Sequence, residues 1–79
     1  MRGNVPRIAY FLEISINLYL DDHGAPHCHI MYEDYAGLFG LEDGSLLAGQ
    51  MPPKQQKKIQ DFISSNQEEL MEKWNELSG

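Results

Sequence analysis

Several features that would define a functional class are scarce in this sequence of 79 residues. A single cysteine, Cys28, excludes an internal disulfide bond and indicates a reducing compartment. No apolar run approaches the roughly 18 residues of a membrane-spanning helix, and the N-terminus lacks the apolar segment of a signal peptide. We therefore predict a cytoplasmic protein without membrane association, in which residues 1–5 are a leader and residues 6–79 form one domain.

Positive charge is missing from the centre of the chain. Residues 21–50 contain no Lys or Arg, and their six carboxylates are Asp21, Asp22, Glu33, Asp34, Glu42 and Asp43. The formal net charge is −6, and all the cations lie towards the two ends. Proteins that bind nucleic acids usually present a basic surface that neutralises phosphates. Autonomous nucleic-acid binding is therefore not expected, whereas a metal ion or a basic protein partner would suit this charge distribution.

The first two thirds of the chain show the pattern of β-strands. Apolar residues occupy every second position from Ile14 to Leu20, which predicts a strand with one buried face. Tight turns are expected at Glu33-Asp34 and at Asp43-Gly44, because Asp-Gly readily adopts the positive φ of short hairpins. The other predicted strands cover residues 7–12, 27–32, 35–41 and 45–48.

After residue 50 the apolar period changes from two to about 3.6. Pro52-Pro53 suits the first turn of a helix, and a polar segment around Asn66 predicts the end of that helix and the start of a second. Because short helices are unstable alone, both should pack on the sheet. We predict an α+β domain: a small antiparallel sheet of four or five strands followed by two C-terminal helices packed on one face.

All three histidines, His23, His27 and His29, lie close together in the sequence and define the candidate site. Side chains two positions apart on a strand project to the same side, roughly 6.5–7 Å apart at Cα, so His27 and His29 can converge on one ion. His23, across the Gly-Ala-Pro turn, could add a third nitrogen, and Asp21 or Asp22 could bind directly or hold a ring tautomer. We predict catalytic roles for the three histidines, with His27 and His29 as ligands of a divalent metal such as Zn²⁺.

Other interpretations of this segment remain open. The two strand histidines could be surface residues on the polar side of a half-buried strand. They could also act as general acid and base in metal-free phosphodiester cleavage, although such chemistry needs a cation and the segment has none. Cys28 should point away from both histidines and serve as a small buried hydrophobe. Trp74 is expected to anchor the core rather than to stack on a nucleobase.

Short motifs along the chain resemble those of one bacterial family. They are Pro6-Arg7-Ile8, Tyr10-Phe11, Tyr19-Leu20-Asp21-Asp22-His23, Pro26-His27-Cys28-His29, and Glu69-Leu70 with Trp74. Over residues 5–77 the sequence resembles domain-of-unknown-function family 4160 (DUF4160). The positions that match its signature are Asp22, His23, Pro26, His27 and His29. The resemblance implies a small bacterial protein, of a kind often suggested to belong to toxin–antitoxin-type gene pairs, with no established activity.

Two functional hypotheses follow from the residues and the resemblance. The first is a protein-interaction component of a toxin–antitoxin-like pair, whose acidic sheet region contacts a basic partner encoded nearby. The alternative is a metal-dependent hydrolase, such as a ribonuclease, that uses His23, His27 and His29. An exposed apolar patch on the tyrosine-bearing sheet surface would indicate a homodimer.

Overall fold

The computed structural model describes residues 7–19 and 24–78 of the chain. Within these ranges, one antiparallel sheet contains five strands in the order in which they occur in the sequence, and two helices follow. The elements are β1 (Arg7–Phe11), β2 (Ile14–Asn17), β3 (His27–Tyr32), β4 (Tyr35–Gly40), β5 (Leu46–Gly49), α1 (Pro53–Ser65) and α2 (Gln67–Ser78). The predicted α+β architecture is therefore confirmed.

Short turns connect β1 with β2, β3 with β4 and β4 with β5, and the strands that they connect pair as neighbours. In the predicted turns, Glu33 has a φ of 53° and Gly44 has a φ of 73°. Between β1 and β2, Leu12 and Glu13 also have positive φ, of 50° and 64°. Left-handed conformations at both central positions match the twist of a two-residue hairpin. The sequence pattern had extended the first strand through Leu12, so this turn is a correction that the structure makes.

The core lies between one face of the sheet and the two helices. Antiparallel pairing places Ile30 opposite Ile16 and Phe39 opposite Cys28, so that three neighbouring strands present apolar side chains to the same side. Full burial of one such side chain contributes roughly 1.5–3 kcal/mol. The buried apolar residues are Ile14, Ile16, Leu18, Cys28, Ile30, Phe39, Leu41, Met51, Ile59, Ile63, Leu70 and Trp74.

The opposite side of the sheet is referred to below as the open face. Its central residues alternate with the core residues along β2, β3 and β4, and the buried residues of both helices belong to the core on the other side. They are Ser15, Asn17, His29, Met31 and Leu38. The sheet therefore has one face covered by helices and one face directed away from them.

α1 begins, and α2 follows it, at the positions that the sequence pattern predicts. Pro52 precedes α1 and Pro53 is its first residue, a position where a missing backbone N–H costs nothing. Asn66 separates the helices, and its side-chain amide donates a hydrogen bond to the Phe62 carbonyl oxygen over 2.9 Å. The Gln67 side chain donates to the Leu41 carbonyl oxygen over 3.1 Å, which ties the start of α2 to the segment after β4. Neither helix is long and apolar enough to cross a membrane, within the ranges that the structure describes.

Candidate functional site

His27 and His29 both lie on β3, and the register of the sheet fixes their neighbours. His29 pairs with Asn17 on one side and Leu38 on the other, and His27 pairs with Gly40 at the end of the ladder. Cys28, between the two histidines, is fully buried in the core. The predicted alternation along this strand is confirmed, because both histidines are half-buried while the residue between them belongs to the other side.

Four aromatic and imidazole rings follow one another at this end of the sheet, and we refer to them as the ring series. The ring of Tyr19 stacks on that of His29, with centroids 3.9 Å apart and planes inclined by 8°. The His29 ring is 5.2 Å from the His27 ring, at an angle of 62°. The His27 ring is 5.0 Å from the indole of Trp74 on α2. The ring series therefore connects the open face with the helix layer.

Two members of the ring series had not been assigned to the site from the sequence. Trp74 was expected only as a core anchor; it is 5% exposed, which confirms that role, and it also contacts His27. Tyr19 continues the alternation of Ser15 and Asn17 past the end of β2. That alternation was the signal that could have placed Tyr19 beside His29.

The turn before β3 orients the His27 ring. Its Nδ1 lies 2.8 Å from the Ala25 carbonyl oxygen. Because a carbonyl oxygen only accepts hydrogen bonds, Nδ1 carries the proton and donates it to Ala25. In the neutral ring the lone pair then lies on Nε2, the nitrogen further from the backbone. This arrangement resembles that of histidine ligands in metal sites, where the second ring nitrogen commonly donates to a backbone carbonyl.

Hydrogen bonds on the open face hold β2 against β3 beside the ring series. The side chains of Ser15 and Asn17 are buried and lie 3.0 Å apart, from Asn17 Nδ2 to Ser15 Oγ. Asn17 Nδ2 also lies 3.2 Å from the His29 carbonyl oxygen, to which it donates. These contacts satisfy polar groups that would otherwise be costly to bury. The His29 backbone is therefore held both by its strand pairing and by the Asn17 side chain.

Only part of the predicted site can be compared with the structure. His23, Asp21 and Asp22 lie outside the described residues, so their predicted roles stay predictions. Within residues 7–19 and 24–78, no group of three or more His, Cys, Asp or Glu side chains could hold a metal ion. His27 and His29 do come together, as the spacing predicted.

Cys28 has the environment of a core residue rather than a nucleophile. Burial raises the pKa of its thiol from 9.0 to about 12. A thiol with this pKa is protonated at neutral pH, and the thiolate is the reactive form. The expectation of a small buried hydrophobe is confirmed.

The raised pKa of Cys28 predicts a loss of stability at alkaline pH. The thiol ionises more readily in the unfolded chain, so its contribution is fully present below pH 9 and disappears as pH rises towards 12. At pH 10.5 this loss amounts to about 2 kcal/mol, at about 1.4 kcal/mol per pH unit. Urea unfolding of the wild type and of Cys28→Ala at pH 8 and pH 10.5 measures it. The difference in unfolding free energy between the two proteins should shrink by that amount, and a constant difference would contradict the prediction.

The open face exposes apolar side chains. Tyr10 is 56% exposed, and Met31 and Leu47 are each 53% exposed. Between the strands of this face lies a shallow groove of about 300 Å³, which is lined by residues that include Tyr19, His29 and Met31. From β2 to β5, the strand residues on this face carry no Asp, Glu, Lys or Arg. The open face is therefore uncharged from β2 to β5: it combines exposed apolar and aromatic side chains with the polar pair Ser15 and Asn17, and the two imidazoles lie at one end.

Carboxylates lie at both ends of the open face. Because Ile14 pairs with Tyr32, the β1–β2 and β3–β4 turns share one end of the sheet, and they bring Glu13, Glu33 and Asp34 there. The β4–β5 loop brings Glu42 and Asp43 to the other end. Hydrogen bonds from Ser45 lower the pKa of Asp43, so its carboxylate remains charged. An uncharged centre thus lies between two acidic ends.

Comparison with known proteins gives a family. The family model described as a domain of unknown function (DUF4160) matches residues 14–75. The matched range includes β2 to α1 and most of α2, and it contains the whole ring series. The search of curated proteins and the search of solved structures gave no match. The matched range covers most of the 79 residues, and the chain therefore belongs to the DUF4160 family.

Proposed function

We propose that this domain is the protein-interaction component of a toxin–antitoxin-like pair and that it binds a basic partner through the open face. The observation that carries the proposal is that this face is uncharged from β2 to β5 and exposes large apolar side chains, between two acidic ends. Family membership defines no activity, so the argument rests on the chemistry of the surface.

The composition of the open face resembles that of a binding surface. Large apolar side chains that are more than half exposed, such as Met31 and Leu47, are costly to leave in water when they form a continuous patch. The centres of protein interfaces are depleted in charge and enriched in aromatic residues and Met, while their rims are polar. Tyr10, Tyr19 and Met31 supply aromatic and Met side chains of this kind on the open face, and the turn carboxylates supply a charged rim.

Charge favours a basic partner over a second copy of this chain. When two copies stack with their strands aligned, an acidic end of one always meets an acidic end of the other. Like charges brought together across an interface cost free energy and slow association. A partner with an apolar centre and with Lys or Arg at its rim would be attracted to both ends of the open face. This complementarity supports a heteromeric pair.

Introducing a charge at the centre of the open face should abolish partner binding. We expect Met31→Glu to weaken association with the product of the neighbouring gene at least tenfold, about 1.4 kcal/mol, because the interface would bury an unpaired carboxylate. Titration calorimetry with the purified pair at two salt concentrations measures the effect. The wild-type affinity should also fall as salt rises, since the rim contacts are ionic.

A matched variant separates the interface from the added charge. Ser64 is exposed on α1, on the helix side of the sheet, so Ser64→Glu adds the same charge away from the open face. Its affinity for the partner should stay within about twofold of wild type, as expected for a change outside the contact area. Equal affinities for the wild type and Met31→Glu, or no association with the neighbouring gene product, would refute the proposal.

The alternative function is a metal-dependent hydrolase, such as a ribonuclease, with His23, His27 and His29 as its site. The observation that favours it is the 5.2 Å separation of the His27 and His29 rings. In this mechanism the metal would activate water and the histidines would hold the ion or transfer protons. Cleavage of a labelled RNA that requires a divalent ion, stops on chelation and is lost in His27→Ala would support it. Cleavage that persists in His27→Ala would come from a contaminant and would end this alternative.

A further inference from the structure

We infer that Met31 is the residue at which peroxides modify this chain, and that its sulfoxide weakens binding of the partner to the open face. The effect on the partner rests on the proposed function, whereas the selectivity for Met31 is a property of the isolated chain. The sequence contains four methionines and one cysteine, and the structure describes all of them except Met1.

Met31 lies on the middle strand of the sheet, and its neighbours on the open face leave its side chain uncovered. Strand pairing places Ser15 on one side of it and Ala36 on the other. Both neighbours have short side chains, and Met31 is 53% exposed. Because its backbone is paired on both sides, this exposure requires no local unfolding. An oxidant in solution can therefore reach the thioether in the folded protein.

The other described methionines are protected by the core. Met51 is 7% exposed, and Met71 is a half-buried residue of α2 that packs against the core. An oxidant reaches a buried thioether only when the structure opens locally, and this requirement lowers the rate of oxidation. In the folded protein, Met31 should therefore be oxidised at least about tenfold faster than Met51.

Cys28 is also protected from oxidants, although a thiol is often the first sulfur of a protein to react. Its side chain is fully buried, and burial raises the pKa of the thiol to about 12. Susceptibility of a cysteine to oxidation follows its exposure and its thiolate character. Both are low for Cys28 at neutral pH. The thioether of Met31 should therefore react before the thiol of Cys28.

The modification is the transfer of one oxygen atom. The Met31 sulfur attacks an oxygen of hydrogen peroxide, an S–O bond forms and the O–O bond breaks. The sulfur loses two electrons, the peroxide gains them, and water is released. Methionine sulfoxide reductases reverse the oxidation, with one enzyme for each epimer of the sulfoxide. The modification of Met31 is therefore reversible.

The sulfoxide would introduce a polar group among the exposed apolar side chains of the open face. A partner that covers Met31 would have to remove water from the new oxygen, which costs free energy when no donor replaces the water. The neighbouring side chain of Ala36 has no donor, and the Ser15 hydroxyl already forms a hydrogen bond with Asn17. Affinity for the partner should therefore fall at least about fivefold. By linkage, a bound partner should slow the oxidation of Met31.

Peptide mapping of the isolated chain after treatment with hydrogen peroxide tests the selectivity. Cleavage after Glu33 and Glu42 separates Met31 from Met51, and alkylation of the denatured protein counts the remaining Cys28 thiols. Mass spectrometry should show sulfoxide at Met31 while Met51 and Cys28 remain reduced and the circular dichroism of the folded protein is unchanged. Oxidation of Cys28 before Met31, or of Met51 as fast as Met31, would overturn the inference.

Titration calorimetry with the product of the neighbouring gene tests the effect on binding. The chain is treated with peroxide, and the peroxide is removed before the untreated partner is added. Affinity of the wild type should fall at least about fivefold and should recover after incubation with sulfoxide reductases for both epimers. Met31→Gln, with an uncharged polar side chain, should bind without treatment about as weakly as the oxidised wild type.

Met31→Leu is the control for the oxidant, because it keeps an apolar side chain but has no sulfur at this position. Its treated and untreated samples should bind the partner equally. Equal losses of affinity on treatment in the wild type and in Met31→Leu would overturn the inference and leave the proposed function in place. Selective oxidation of Met31 without association of the two untreated proteins would instead refute the proposed function and, with it, the effect on binding.

Discussion

Gly49→Ala should lower the free energy of unfolding by at least about 3 kcal/mol, which is most of the stability expected for a domain of this size. Gly49 closes β5 with a φ of 85°, a backbone conformation that is strained for any residue with a side chain. A Cβ at this position would overlap the Ala36 carbonyl oxygen and would lie 2.9 Å from the Gly37 Cα. That carbonyl also accepts the hydrogen bond of the Gln50 amide over 3.0 Å. The added Cβ therefore clashes with a carbonyl oxygen that is already hydrogen-bonded to the residue after β5. To relieve the clash, β5 would have to separate from β4.

Gly24→Ala is the matched control, because it has the same strain without the clash. Gly24 has a φ of 95°, and a Cβ there would meet nothing within 4 Å among the described residues. We expect a loss of about 1–2 kcal/mol, the conformational cost alone. Urea unfolding followed by circular dichroism measures both variants at one temperature. Similar losses in the two variants would show that the strand contact at Gly49 contributes little.

The regular elements were the predictable part of the fold. The alternation that starts at Ile14 identified a strand with one buried face, and Pro52-Pro53 identified the start of α1, because burial period and proline geometry are local properties. The turn at Leu12-Glu13 was missed because neither residue is typical of positive φ. Pairing of Phe11 with Ile14 imposes that turn, and pairing is a property of the whole sheet. Tertiary pairing here overrides the local preference of the turn residues.

In the candidate site, too, the sequence predicted what depends on one strand and missed what depends on tertiary packing. Strand alternation was sufficient to place His27 and His29 on one side, because both lie on a single element. The contact of His27 with Trp74 joins a strand to a helix almost fifty residues later, and it depends on how α2 packs. No local pattern contains that information. The stacking of Tyr19 on His29 lies between these cases, since it follows from alternation once the register of β2 and β3 is known.

Trp74→Ala should lower the free energy of unfolding by about 3–5 kcal/mol and should also disturb His27. The indole is 5% exposed and packs in the core, so its removal leaves a cavity that the surrounding residues fill only in part. Because this loss approaches the stability of a small domain, Trp74→Phe provides a milder variant, with an expected cost of about 1–2 kcal/mol. Chemical denaturation gives the free energies of both.

The expected disturbance of His27 distinguishes the contact that Trp74 makes with the site from its role in the core. The indole lies 5.0 Å from the His27 ring, so its loss removes a ring current and should shift the His27 imidazole proton resonances. Phe62 is the control, because Phe62→Ala also removes an aromatic side chain that packs against the core, and this ring stacks on Phe11 with centroids 5.2 Å apart. In Phe62→Ala, the His27 resonances should keep their wild-type chemical shifts while the free energy of unfolding falls. Equal shifts in the two variants would mean that His27 responds to general loosening of the core, and the ring series would then not connect α2 specifically with the open face.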